Sequence, residues 1–263
     1  MDDPDKVAAY TRAGREDGVM APVYLFHAAQ ICEVVRPGDT VIDLGCGPAT
    51  QLALVARLNP EINFIGLDLS GEMLQKAQAH VKELGLQNVA FREADITDLS
   101  SFEDSSVDAV MSTMVLHHLP EVGALEKTFA EVKRILKPDG GLYLVDFGHL
   151  KSEKSINYFA YQYADRQPEL FTLDYLYSLR AAFQRDDFKR LTDTHLSGRA
   201  TLYSTFVMPF MVAVKSPRRA TEMTAVIQKL QELKTALPNY HKTDLSDLRT
   251  FFSLGGLKSP LLK

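Results

Sequence analysis

The sequence predicts a doubly wound α/β domain built on a mostly parallel sheet. Three observations carry this expectation. Short β-branched runs alternate with longer amphipathic stretches between Thr40 and Phe147. The runs are apolar nearly throughout, as strands covered on both faces must be. Glycine- or carboxylate-bearing turns recur at the carboxyl ends of these runs, where open α/β sheets bind their ligands.

The elements follow in order. Thr40–Leu44, introduced by the turn Arg36-Pro37-Gly38-Asp39, reads as a buried first strand. Residues 51–58 read as a helix halted by Asn59-Pro60. Asn63–Asp68 reads as a second strand, followed by a helix capped by Ser70, with 72–84 in its body and Gly85 closing it. Third and fourth strands are expected at Val89–Glu93 and 107–112. A helix over 122–136 ends at Lys137-Pro138-Asp139-Gly140, and a fifth strand occupies 142–146. Residues 4–35 suggest one or two helices, and 155–190 an aromatic-rich helical stretch. A closing strand pair is expected at 201–206 and 210–214, then an amphipathic helix over 221–237 and a polar tail from Asn239 of undecided structure. The expected organisation is therefore an N-terminal helical segment (1–35), a ligand-binding domain (36–216) carrying a helical insertion or lid (150–190), and a C-terminal tail (217–263).

Composition narrows the function. The 263 residues carry a net charge of −5 and no long Lys/Arg block, which argues against a nucleic-acid partner. The two cysteines, Cys32 and Cys46, form no metal-binding pattern, so no metal is expected and a reducing compartment fits. The start, Met1-Asp2-Asp3-Pro4-Asp5, is acidic where a secretion signal is basic and then apolar. The longest apolar run, 206–214, is interrupted by Pro209, and no span approaches the roughly 20 residues needed to cross a bilayer. A soluble, cytoplasmic protein without a membrane partner is expected, and the tail leaves a homodimer open.

Chemistry concentrates in three turns. Asp43-Leu44-Gly45-Cys46-Gly47-Pro48-Ala49-Thr50 leads a buried strand through a glycine turn into a helix; the glycines permit backbone shapes and close approach that a Cβ would block. Asp68 ends the second strand at the distance where a carboxylate accepts from ribose hydroxyls. Asp95 follows the third strand, placed to accept from an adenine amino group, while Leu69 and Ile96 could sandwich the ring.

These segments, with 112–119 (Ser-Thr-Met-Val-Leu-His-His-Leu) and Leu136-Lys137-Pro138-Asp139-Gly140-Gly141, resemble the class I S-adenosylmethionine-dependent methyltransferases over roughly 36–147. The resemblance implies a Rossmann-like sheet of seven strands with the last inserted antiparallel. It assigns Asp43, Gly45, Cys46 and Gly47 to the methionine moiety and Asp68 to the ribose. Asp95 and Ile96 go to the adenine, with Leu69, Met73 and Met114 flanking the cofactor. Ala49 departs from the pattern, where many members carry a third glycine. A nicotinamide dehydrogenase, the competing enzyme reading, would want glycine at Thr50; a catalytically idle S-adenosylmethionine binder is the other alternative.

The implied reaction carries the methyl of S-adenosylmethionine to O, N or C of a small acceptor, releasing S-adenosylhomocysteine. A base is needed only where the acceptor arrives protonated. His149, beyond the fifth strand, and His117 are the candidates, with helix packing the alternative for His117 or His118. Asp146, Tyr158 and Tyr161 are the candidate acceptor contacts, and the aromatic insertion suits an aromatic, lipid-like or cationic acceptor. Two cysteines are too few to hold arsenite or another soft metal as acceptor.

Overall fold

The computed structural model describes residues 18–220 and 223–262. Strands β1 (Thr40–Leu44), β2 (Asn63–Asp68), β3 (Val89–Glu93), β4 (Val107–Thr113), β5 (Leu136–Phe147), β6 (Thr201–Ser204) and β7 (Met211–Lys215) form one sheet in the order β3-β2-β1-β4-β5-β7-β6. β1 to β5 pair in parallel and β7 is antiparallel to both neighbours. The strand order reverses between β1 and β4, so their carboxyl ends diverge there and open a crevice.

Alternating side chains build a core on each face. On one side Val41, Ala109, Tyr143, Val145 and Ala213 meet α1 (Ala21–Cys32), α2 (Thr50–Leu58) and α3 (Gly71–Glu83). On the other, Ile42, Val110, Leu142, Leu144 and Val214 meet α4 (Val122–Ile135) and α7 (Arg185–His195). Between them in sequence, α5 (Glu153–Tyr161) and α6 (Glu169–Ala181) pack on one another beyond the end of β5. The chain ends in α8 (Thr224–Ala236) and α9 (Asn239–Leu254), which close over α1, with Phe252 stacked on Phe26 at a centroid distance of 5.1 Å.

Several elements differ from the sequence reading. β5 begins at Leu136, not 142: Leu136 pairs with Val107, residues 137–140 loop out, and Gly141 resumes opposite Ala109. The expected turn is therefore a bulge inside a strand, which is where Pro and Gly are tolerated. The aromatic stretch is three helices, with breaks at Gln167-Pro168 and Ala182-Phe183-Gln184. The tail left open from Asn239 is a helix whose apolar face, Leu245, Leu248 and Phe252, is buried. Of the N-terminal helices, only α1 falls within the described residues. Ser70 caps α3 as expected, accepting from Met73 N at 3.3 Å.

Buried ionic groups pin the C-terminal part to the end of α1 and the turn that leads into β1. Lys215 donates to Gln30 Oε1 at 2.6 Å and Glu33 Oε2 at 2.7 Å, and Arg219 to Asp39 at 2.7 Å. Each charge is paired, without which burial would be strongly destabilising. His27, fully buried in α1, lies 2.8 Å from the Tyr143 hydroxyl, and burial pushes its pKa down to about 3. The unfolded chain thus takes up this proton near pH 6.5 while the fold refuses it. Stability should fall as pH drops from 6.5 toward 3, by about 1.4 kcal/mol per pH unit from this group. Urea unfolding at successive pH values, compared with His27→Gln, checks this: a variant with an unchanged slope would clear His27 of the effect.

Candidate active site

The crevice at the switch point is a cleft of about 450 Å³, lined by the turn after β1, the ends of β2 and β4, and the segment after β3. The first turn owes its shape to two left-handed residues, Gly45 (φ +69°) and Gly47 (φ +52°), and to Ala49 (φ +62°). The two glycines differ in what they do. A Cβ on Gly45 would lie 2.3 Å from Val115 Cγ2, so its close approach is to the β4 turn rather than to a ligand. A Cβ on Gly47 would meet nothing within 4 Å. Gly45→Ala should therefore destabilise the fold by about 2 kcal/mol or more, through strain and overpacking. Gly47→Ala should cost only the left-handed strain, about 1–2 kcal/mol, without overpacking, and should lose ligand affinity; thermal melts with and without S-adenosylhomocysteine separate the two.

Two N–H groups of the turn are engaged within the protein. Cys46 N donates to Leu67 O at 2.8 Å and Gly47 N to Asp68 Oδ2 at 2.9 Å. Asp68 Oδ1 accepts from Ser70 N at 2.9 Å, so both carboxylate oxygens are braced and each keeps a lone pair. Asp43 is 3% exposed, and burial together with the Asp68 charge holds its carboxyl well above the usual range. Asp95 is exposed and its Oδ1 accepts from Thr97 N and Oγ1 at 2.8 Å each. Ile96 and Met73 are buried and Leu69 is 70% exposed at the same cleft.

The cleft thus has the carboxyl groups of Asp43, Asp68 and Asp95, of which Asp43 is pushed by burial toward its neutral form, and, among the described residues, no Lys or Arg in its lining. That suits a cationic, ribose-bearing ligand. It opposes a pyrophosphate, which needs free N–H donors or cations. Two buried polar atoms of its lining residues, Gln51 Oε1 and Thr113 Oγ1, have no hydrogen-bond partner among the described residues.

A second cavity, of about 460 Å³, lies under α5, α6 and α9. Met114 and His118 line both cavities, so the two meet at the end of β4. Met114 sits there in a left-handed conformation (φ +55°), its N–H held by Val145 O at 2.9 Å. A non-glycine residue in this region is strained and needs its surroundings to hold it.

His117, just beyond β4, lines the second cavity with a side chain 3% exposed. Asp146, at the end of the neighbouring β5, accepts from His117 N at 2.9 Å through Oδ2 and lies 2.7 Å from His117 Nδ1 through Oδ1. The carboxylate places the ring proton on Nδ1 and leaves Nε2 as a lone-pair site. Nε2 is buried and has no hydrogen-bond partner among the described residues. His118, its ring 4.2 Å from that of His117, is held down to a pKa of about 4 by burial and then by His117. Asp146, expected to touch an acceptor, instead positions His117 from full burial.

The structure brings Tyr158 to the second cavity but not Tyr161. His149 lines neither cavity: Gly148 N is bound to Phe210 O and His149 N to Phe183 O, which turns the chain away from the switch point. Sequence reasoning missed Tyr24 and Gln51 in the cleft, and the carboxylates Asp174, Asp244 and Asp247 in the second cavity. Among the described residues no cluster could hold a metal ion, and no helix is long and apolar enough to cross a membrane.

The profile of a family described as a methyltransferase domain matches residues 36–188, more than half of the chain. The chain belongs to this family, the class I S-adenosylmethionine-dependent methyltransferases. The arsenite methyltransferase of Halobacterium salinarum is 35% identical over 113 residues, 43% of this chain and 28% of that protein. The ribosomal RNA small subunit methyltransferase G of Chlorobaculum tepidum is 33% identical over 138 residues, 51% and 59% of the two chains. The ubiquinone biosynthesis O-methyltransferase of Xanthomonas campestris is 32% identical over 145 residues, 53% and 58%. These matches span well under two thirds of each relative. A methyltransferase structure from Methanococcus maripaludis superposes with a TM-score of 0.58 at 19% identity, covering 82% of this chain and 94% of that one, and shares the fold.

Proposed function

We propose that the protein transfers the methyl group of S-adenosylmethionine to a small, largely apolar acceptor, with the cofactor in the cleft and the acceptor in the second cavity. The observation that carries this is the meeting of the two cavities at Met114 and His118. Asp68 would hold the ribose, Asp95, Leu69 and Ile96 the adenine, and Asp43 with the Gly45–Gly47 turn the methionine end. Bound there, S-adenosylmethionine supplies a methyl group already activated on a sulfonium.

The chain's task is then to position the acceptor, exclude water and remove a proton where the acceptor carries one. His117 Nε2 is the base: it takes the O–H or N–H proton while the acceptor's lone pair forms the new bond and the C–S pair returns to sulfur. Asp146 fixes the ring and stabilises the imidazolium that forms. Of the two candidate bases, His117 and not His149 takes this role, because His117 lines the cavity and His149 does not.

The relatives' differing acceptors are weighed by the same cavity. An RNA acceptor would need cations along its path, and the lining of neither cavity supplies one among the described residues. An arsenite acceptor would need thiolates; both cysteines are buried, with Cys32 pushed up to about 12 mainly by burial and Cys46 raised for the same first reason. The test is incubation with methyl-labelled S-adenosylmethionine and a panel of apolar amines, phenols, RNA and arsenite. Label in a small organic acceptor supports the proposal. Cofactor binding without label transfer to any of them would favour an idle binder.

A further inference from the structure

We infer that the acceptor is a cation: an aromatic or similarly apolar body bearing a protonated amine, recognised by the carboxylates of α9. This rests on the proposed use of the second cavity for the acceptor. Asp244 and Asp247 stand one turn apart on α9 and both line that cavity, joined from α6 by Asp174. Residues at this spacing share a helix face. Among the described residues the lining contains three carboxylates and no Lys or Arg, so the charged side chains described there are all negative. A carboxylate or phosphate on the acceptor would be repelled by them.

Asp244 is partly engaged. It accepts from the Tyr163 hydroxyl at 2.9 Å, and the guanidinium of Arg166 lies 3.9 Å away. Arg166 is held over the rings of Tyr163 and Tyr240, at 4.5 and 5.1 Å, and does not line the cavity. Asp247 is exposed and, among the described residues, has no such cation beside it, so its charge is not offset by a described ion pair. The walls supply rings: Tyr158, Phe159, Phe171 and Tyr175 line the same space, and aromatic faces attract a cation as well as an apolar body.

A cluster of carboxylates could merely be a solvated face. The independent sign of a ligand is His117, nine-tenths and more buried, with an Nε2 unpartnered among the described residues and its ring lining the same cavity. An unpaired buried imidazole nitrogen is destabilising unless something else meets it. One cavity thus contains a base for the reacting atom and an acidic helix face for a positive group.

The test measures binding, independent of turnover. The full chain, saturated with S-adenosylhomocysteine, is titrated by calorimetry with naphthylethylamine, naphthylethanol and naphthylacetate, which share a body and differ in charge. The amine should bind at least about tenfold more tightly than the alcohol, and the acetate least. Asp247→Asn should erase most of that preference and Asp244→Asn/Asp247→Asn all of it, with affinity for the alcohol and for S-adenosylhomocysteine unchanged. Equal binding of amine and alcohol, or S-adenosylhomocysteine binding with none of the three, would overturn the inference and leave the cofactor assignment standing. Loss of S-adenosylhomocysteine binding in the unaltered protein would instead remove the reading on which it rests.

Discussion

Asp146→Asn should lower turnover by roughly a hundred- to ten-thousand-fold, the range that a positioned base supplies, with S-adenosylhomocysteine affinity unchanged. The physical reason is the tautomer. The Asp146 carboxylate accepts from His117 N and draws the ring proton to Nδ1. An amide can present its NH2 to Nδ1, which would move the ring proton to Nε2 and abolish the base. His117→Ala should be as severe, and the double variant no worse than either single, because the two residues act as a unit. A purely structural role for the pair would lower melting temperature and cofactor affinity together. Retained turnover in either single variant would remove the dyad from the mechanism.

Asp68→Ala should weaken S-adenosylhomocysteine binding about a hundredfold or more. Hydrogen bonds to a charged carboxylate contribute about 1.5–3 kcal/mol each, and two are expected with the ribose. The change also strips Gly47 N and Ser70 N of their acceptor, loosening the turn between β1 and α2 and the entry to α3. Asp68→Asn separates these effects, since one amide oxygen can still brace a backbone N–H. It should restore much of the melting temperature but little of the affinity. Calorimetric titration of the three proteins checks this, and wild-type affinity in Asp68→Ala would contradict the ribose assignment.

How much of this was legible in the sequence depends on whether the signal was local. β2 and β3 were bounded correctly, because an apolar run met a capping serine or a turn at each end. The bulge in β5 was not, because Leu136 is held by its pairing with Val107 on a strand remote in sequence. The tail was undecided for a similar reason. Its helical face, Leu245, Leu248 and Phe252, makes sense only against α1, more than two hundred residues earlier.

The site divides the same way. The cleft residues sit at the ends of strands whose order the alternating pattern already implied. The link between His117 and Asp146 was within reach: they end adjacent parallel strands, β4 and β5, and such ends meet in space. His149 carried the same end-of-strand signal, and only the pairing of Gly148 with the loop before β7 shows why the chain leaves the site there. The acidic face of α9 left no trace in sequence, since nothing local says which surface a C-terminal helix will cover.

The most direct measurement is transfer of labelled methyl from S-adenosylmethionine by the unaltered protein and by His117→Ala, across the acceptor panel. Label appearing in a small apolar acceptor, and lost in His117→Ala while S-adenosylhomocysteine still binds with unchanged affinity, is the predicted result. Label in RNA, or full transfer by His117→Ala to a protonated acceptor, would contradict the arrangement of cofactor cleft, acceptor cavity and base.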